Sequence, residues 1–115
     1  MKPGRFNLSL VQGDSFQLAP SWKINGSYVN VTGYSADMQV RQAVASTSII
    51  VELSSANGRI TVGGIDGTFT LNLTAAETTV IPAGNYIYDL DVTSVDGDVY
   101  TLLSGGFTVN SQVTR

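Results

Sequence analysis

Along most of this chain, apolar and polar residues alternate with a period of two. The pattern runs through FNLSL (Phe6, Leu8, Leu10), SFQLAPSW (Phe16, Leu18, Trp22) and YSADMQV (Tyr34, Ala36, Met38, Val40). It continues in IIVEL (Ile49, Val51, Leu53), RITV (Ile60, Val62), TFTLNL (Phe69, Leu71, Leu73), YIYDLDV (Tyr86, Tyr88, Leu90, Val92) and VYTLLSGGFTV. A strand points successive side chains to opposite faces, so this period predicts strands that each bury one face. Turn signals separate them: Gly13-Asp14, Asn25-Gly26, Asn57-Gly58, Gly63-Gly64, Asp66-Gly67, Ala83-Gly84-Asn85 and Asp96-Gly97, the last read as a type I′ turn. Seven or eight short strands at this spacing predict an all-β, antiparallel sandwich of immunoglobulin type.

One stretch, TAAETTVIPAG, does not alternate. Thr74 and Glu77 have capping-box spacing, in which hydroxyl and carboxylate each satisfy an orphan amide of a helical turn, and Pro82 ends it. A short helical turn near residues 75–80 is expected, crossing between the sheets. Pro20 interrupts the second strand, where a missing N–H would break a central ladder, so that segment is expected at an edge or a bulge. Gly105 and Gly106 strip side chains from both faces of the last strand, and a bulge or the close approach of another backbone would explain them. The segment Gln42 to Ser48 carries no hairpin signal and is expected to be a flexible loop.

Length changes the picture little: 115 residues make one domain, 1–115, with a core large enough to need no staple. The chain has no cysteine, which fits synthesis in a reducing cytosol. Its first residues, MKPGRFNLSL, lack the apolar stretch of a secretory signal, no run approaches the roughly 18 apolar residues of a membrane helix, and the chain reads as a complete small protein. Six basic residues, Lys2, Arg5, Lys23, Arg41, Arg59 and Arg115, are scattered against nine acidic ones, for a net charge of −3. Nucleic acid needs a basic stripe to neutralise phosphates, and none is present. With 13% charged residues the surface must be mostly neutral and hydrogen-bonding.

Candidate chemistry is sparse. With no histidine and no cysteine, the commonest general base, the thiol nucleophile and the ordinary zinc ligands are missing. The carboxylates are dispersed, and a chain of this size has little material for a glycosidase cleft, so no catalytic residue is expected and the protein is read as a non-enzyme. Asp89 and Asp91 point to one face of a strand and, with Asp96 and Asp98 in the next turn, raise a calcium reading. Calcium takes about six to eight oxygens, so solvent-facing carboxylates are the simpler account, and no metal or cofactor is expected. The glycines of Gly63 to Gly67 resemble a phosphate cradle only in number. Trp22 is expected in the core; exposed, it would form a ligand platform with Tyr28, Tyr34 or Tyr100.

Three stretches carry a family resemblance. KINGSYVNVTGYSADMQVR (Lys23 to Arg41), NGRITVGGIDGTFTLNLTAAETTVIPAGNYIYDLDVTSVDGDVYTLLSGGFTV (Asn57 to Val109) and the closing SQVTR resemble the small immunoglobulin-like structural proteins of tailed bacteriophages. The shared plan is a V-x-V-T-G-Y strand entry, an N-G-R-I-T hairpin, a T-x-x-E turn followed by P-A-G-x-Y, and a D-G hairpin leading into L-x-x-G-x-F/V-T-V. The resemblance implies a non-enzymatic virion component of the tail, baseplate or fibre region, made in the host bacterial cytoplasm and docked on other virion proteins in symmetric copies, with neither nucleic acid nor membrane as partner. The alternatives are a capsid decoration (cement) protein and a carbohydrate-binding or adhesin module. Pro20, Gly105 and Gly106, read as marks of strand edges, are the candidate partner contacts.

Overall fold

The computed structural model describes residues 4–113. Lys2, Arg115 and the last two residues of the SQVTR motif lie outside that range. Strand formation follows the alternation closely: β1 (Gly4–Arg5), β2 (Leu8–Val11), β3 (Phe16–Leu18), β4 (Lys23–Ile24), β5 (Ser27–Tyr28), β6 (Ser35–Arg41), β7 (Val51–Ser54), β8 (Ile60–Val62), β9 (Phe69–Leu73), the helix α1 (Ala75–Thr79), β10 (Gly84–Thr93) and β11 (Val99–Asn110). The larger sheet has the order β1-β11-β10-β6-β7, with β2 also on β11; the smaller is β3-β9-β8, and β4-β5 is a separate hairpin. With β1 and β2 taken as one interrupted strand, the two sheets hold eight strands, and the chain passes back and forth between them. This is an immunoglobulin-like β-sandwich. Its first strand departs from the antiparallel expectation: β1 and β2 both run parallel to β11.

The inward residues of the alternation make one core. Phe69, Phe107, Met38, Leu53, Leu71 and Leu90 are fully buried, and removing such side chains from water contributes about 1.5–3 kcal/mol each. On β10 the apolar set Tyr86, Tyr88, Leu90 and Val92 is buried while Asp89 and Asp91 face outward. Phe6 breaks the pattern and is exposed, because it lies in the gap between β1 and β2.

Three local features lock the ends of the sandwich. Both bonds of the expected capping box form: Glu77 N donates to Thr74 Oγ1 at 3.2 Å, and Thr74 N donates to Glu77 Oε1 at 2.8 Å. The buried Thr78 ties this helix to the β2–β3 turn, its Oγ1 accepting from Gly13 N (3.0 Å) and donating to Asp14 O (2.8 Å). Beyond the helix, Tyr86 Oη donates to Pro82 O at 2.7 Å, the tyrosine corner found at this position of immunoglobulin-like folds.

The turns separate by backbone sign. Asn25 and Gly26 both have positive φ (52° and 81°), as a two-residue type I′ hairpin requires between the paired Ile24 and Ser27. Asp96-Gly97, expected to match it, does not: Asn25 is the one non-glycine with positive φ among the described residues. Instead Gly97 N donates to Ser94 O (3.0 Å), closing the turn one residue earlier with Gly97 alone left-handed (φ 92°), and Ser94 N donates to Asp98 O (2.8 Å).

Candidate functional site

The outer face of the larger sheet forms a groove of about 710 Å³. Its floor comes from alternate residues of four strands: Arg5 on β1, Gln39 and Arg41 on β6, Ile87, Asp89 and Asp91 on β10, Ser104, Gly106 and Thr108 on β11, with Asn7 and Val44 at its margins. Strand geometry puts them there, since these are the polar positions of the same alternation that buries the core. Arg41 organises one wall. It donates through Nη1 to Ser46 O and through Nη2 to Gln39 Oε1, both at 2.7 Å. The segment Gln42 to Ser48 thus carries a turn (Ser46 N to Ala43 O, 3.0 Å) tied to the sheet by one guanidinium.

Carboxylates gather beside the groove. Antiparallel register sets Asp91 opposite Asp37 and Asp89 opposite Gln39, and on the next strand Gln39 opposite Glu52. Burial raises the Asp37 pKa to about 6, aided by a hydrogen bond to Glu52 and by the charges of Glu52 and Asp91. Asp37 Oδ1 is buried without a hydrogen-bond partner. Burial also raises the Asp89 pKa, with Asp91 adding to the shift and Arg41 opposing it. Asp91 accepts from Thr101 Oγ1 at 2.9 Å. Asp89 and Asp91 share a face as expected, while Asp96 and Asp98 stay in the exposed turn. Among the described residues no group of three or more carboxylates is arranged to hold a metal ion.

The glycine-rich Gly63 to Gly67 segment is the β8–β9 turn, and its own carboxylate occupies the place an anion would take. Asp66 Oδ1 accepts from Thr68 N (3.2 Å) and Gly64 N (3.4 Å), bonds that hold the Asp66 pKa below its usual value.

Trp22 is in the core, 5% exposed. Tyr34 packs edge-on against it (centroids 6.3 Å apart) and Tyr100 at a tilt (5.4 Å), while Tyr28 is exposed with Lys23 Nζ 4.5 Å from its ring centre. These four aromatics therefore do not make a shared platform.

The three candidate contact residues fall in different settings. Pro20 follows β3, an edge of the smaller sheet, as its missing donor suggested. Its carbonyl accepts from Phe69 N at 2.9 Å, and with no N–H to return the bond the ladder stops at Leu18. Gly105 and Gly106 require a correction, because β11 is not an edge: it lies between β10 and β1–β2. The bulge of this strand is also elsewhere. Leu90 pairs with Leu103 and Asp91 with Thr101, leaving Leu102 as the extra residue, while the glycines stay in register with Tyr88 and Ile87. The backbone that approaches Gly105 is the chain's own. A Cβ there would lie 2.5 Å from Phe6 O, and Gly106 N donates to Asn7 Oδ1 at 2.9 Å.

The alternating polar positions Asp37, Gln39 and Arg41 were visible in the sequence as an outward face. Their meeting with Glu52, Asp91 and Arg5 was not, because register and neighbour choice decide it.

No family model and no curated protein matches the chain. Two solved structures are similar over nearly its whole length. CopC from Methylosinus trichosporium OB3b is 15% identical, with a TM-score of 0.47 over 98% of this chain and 88% of that one. Murine CRIg is 13% identical, with a TM-score of 0.44 over 96% of this chain and 93% of that one.

Proposed function

We propose that this chain is a non-enzymatic assembly module of a tailed-bacteriophage particle, docking on other virion proteins in the tail, baseplate or fibre region. What supports this role is the ordered series of motifs from Lys23 to Val109. The outer sheet face is physically compatible with it. That face is broad, mixed in charge and rich in hydrogen-bonding groups, with Val44 and Ile87 offering apolar contact beside Arg5, Arg41 and Asp89. Such a mixture suits a protein surface better than a small apolar ligand.

Purified particles from a host expressing this gene provide the test. The chain should be found in them at a fixed ratio to the major tail protein, and disrupting the gene should yield particles with altered tails. Its absence from intact particles would sink the virion role. Labelling confined to the head would instead favour the decoration alternative. A carbohydrate-binding module remains the reading to adopt if a glycan array returns a specific ligand, although the burial of Trp22 removes the aromatic surface that reading relied on.

A further inference from the structure

We infer that the free edge of β1–β2 pairs antiparallel with the same edge of a second copy, joining two large sheets across a twofold axis near Ser9. A parallel ladder turns the peptide groups of alternate residues to opposite sides. Phe6 N donates to Ser104 O and Gln12 N to Asn110 O, both at 2.9 Å, so the even-numbered residues serve β11. The peptide groups of Asn7 and Ser9 therefore face outward, along a segment reaching from Gly4 to Val11.

The other edges differ. On β7, Glu52 O accepts from Arg59 Nη1 (2.8 Å) and Asn57 Nδ2 (3.0 Å), and Ser54 N donates to Asn57 Oδ1 (2.9 Å), so side chains already cap that edge. β3 and β8 have three residues each, and β3 runs into Pro20. Short length, capping and proline are the devices by which sheets avoid joining. The β1–β2 edge has none of them, and from Phe6 to Gly13 it has no charge.

Charge placement selects the occupant and its direction. Arg5 stands at one end of this neutral stretch and Asp14 at the other, both exposed. An antiparallel register centred on Ser9 sets Arg5 of each copy opposite Gly13 and beside Asp14 of the other, giving two symmetric ion pairs. Parallel pairing would set like charges together. A twofold contact of this kind is closed, so it stops at the dimer. This inference stands on the edge itself and holds whether or not the protein belongs to a virion.

Sedimentation of the full chain over a concentration series is the test. A reversible dimer is expected, and Ser9→Pro, which deletes an outward N–H and leaves the β11 ladder its donors, should be monomeric with an unchanged circular dichroism spectrum. Because proline also restrains the backbone, a charge swap provides a second arm. Arg5→Asp should weaken the dimer about tenfold, and Arg5→Asp combined with Asp14→Arg should restore it. A wild-type chain that stays monomeric, a Ser9→Pro dimer as strong as wild type, or a double swap that restores nothing would overturn the inference.

Discussion

Tyr88 Oη donates to Phe6 O at 2.6 Å, reaching from β10 to the first strand across Gly105, its paired residue on β11. The glycine is what lets the bond form, since the Phe6 carbonyl occupies the space a Cβ would need. Tyr88 in turn takes the acceptor that an uninterrupted ladder would have offered to Gly106 N, and Asn7 Oδ1 satisfies that amide instead. The break between β1 and β2 is thus a repaired gap, with two side chains replacing backbone bonds.

Gly105→Ala should therefore destabilise the domain by about 2–3 kcal/mol, because the new methyl meets backbone at 2.5 Å and must push a strand aside. Gly106→Ala should change stability much less, its Cβ meeting Asn7 Oδ1 at an ordinary 3.4 Å. Urea unfolding of the two variants side by side is the measurement. Equal losses would mean that the close approach of Phe6 is not what keeps position 105 a glycine.

Tyr88→Phe should cost about 1–3 kcal/mol, the penalty for leaving the Phe6 carbonyl without its donor. Burial pushes the Tyr88 hydroxyl up to about 12. A folded pKa above the unfolded one contributes stability that is complete below about pH 10 and is lost as pH rises towards 12. Alkaline unfolding of the wild type should accordingly steepen in that window, and the Phe variant should lack this component.

Asp37 gives a pH dependence of the same sign at lower pH. Its folded pKa, about 6, lies above its ordinary value of 3.8, so its stabilising contribution is present in acid and fades as pH rises through about 6. Asp37→Asn should remove that loss and be relatively more stable than wild type at neutral pH than at pH 4, read from thermal unfolding at both. Glu77 works in the opposite direction: the Thr74 amide, chiefly, and the Arg59 ion pair hold its pKa down, so its contribution disappears on acidification. A difference between Asp37→Asn and wild type that does not change with pH would show that Asp37 is not the titrating group.

Trp22→Ala should cost about 3–5 kcal/mol, as expected for emptying a buried aromatic site. The loss should also free Tyr34 and Tyr100, seen as a change in near-ultraviolet circular dichroism. A near-neutral variant would contradict the packing of these three rings.

The strands and their inward faces were legible because period two is a local property: Met38, Leu71 and Leu90 are buried where alternation placed them. The capping box was legible for the same reason, since its partners are three residues apart. What local pattern does not encode is which strand lies beside which. Gly105 and Gly106 looked like an edge until β1–β2 was seen lying against them, a pairing between residues 99 apart. Likewise Asp37 and Asp91 carry no shared motif, and only the β6–β10 register brings them face to face.

That pairing of first strand with last sets the timetable of folding. Gly4 waits for Leu103 and Val11 for Asn110, so during synthesis the opening strand emerges from the ribosome long before its ladder partner exists. The hairpins β8–β9 and β10–β11 can form as soon as they are made, but closure of the large sheet must follow release of nearly the whole chain. Contacts so distant in sequence bear the full entropy of loop closure before returning any energy. The sandwich is therefore expected to be completed after translation ends, with its N-terminal strand the last piece to seat.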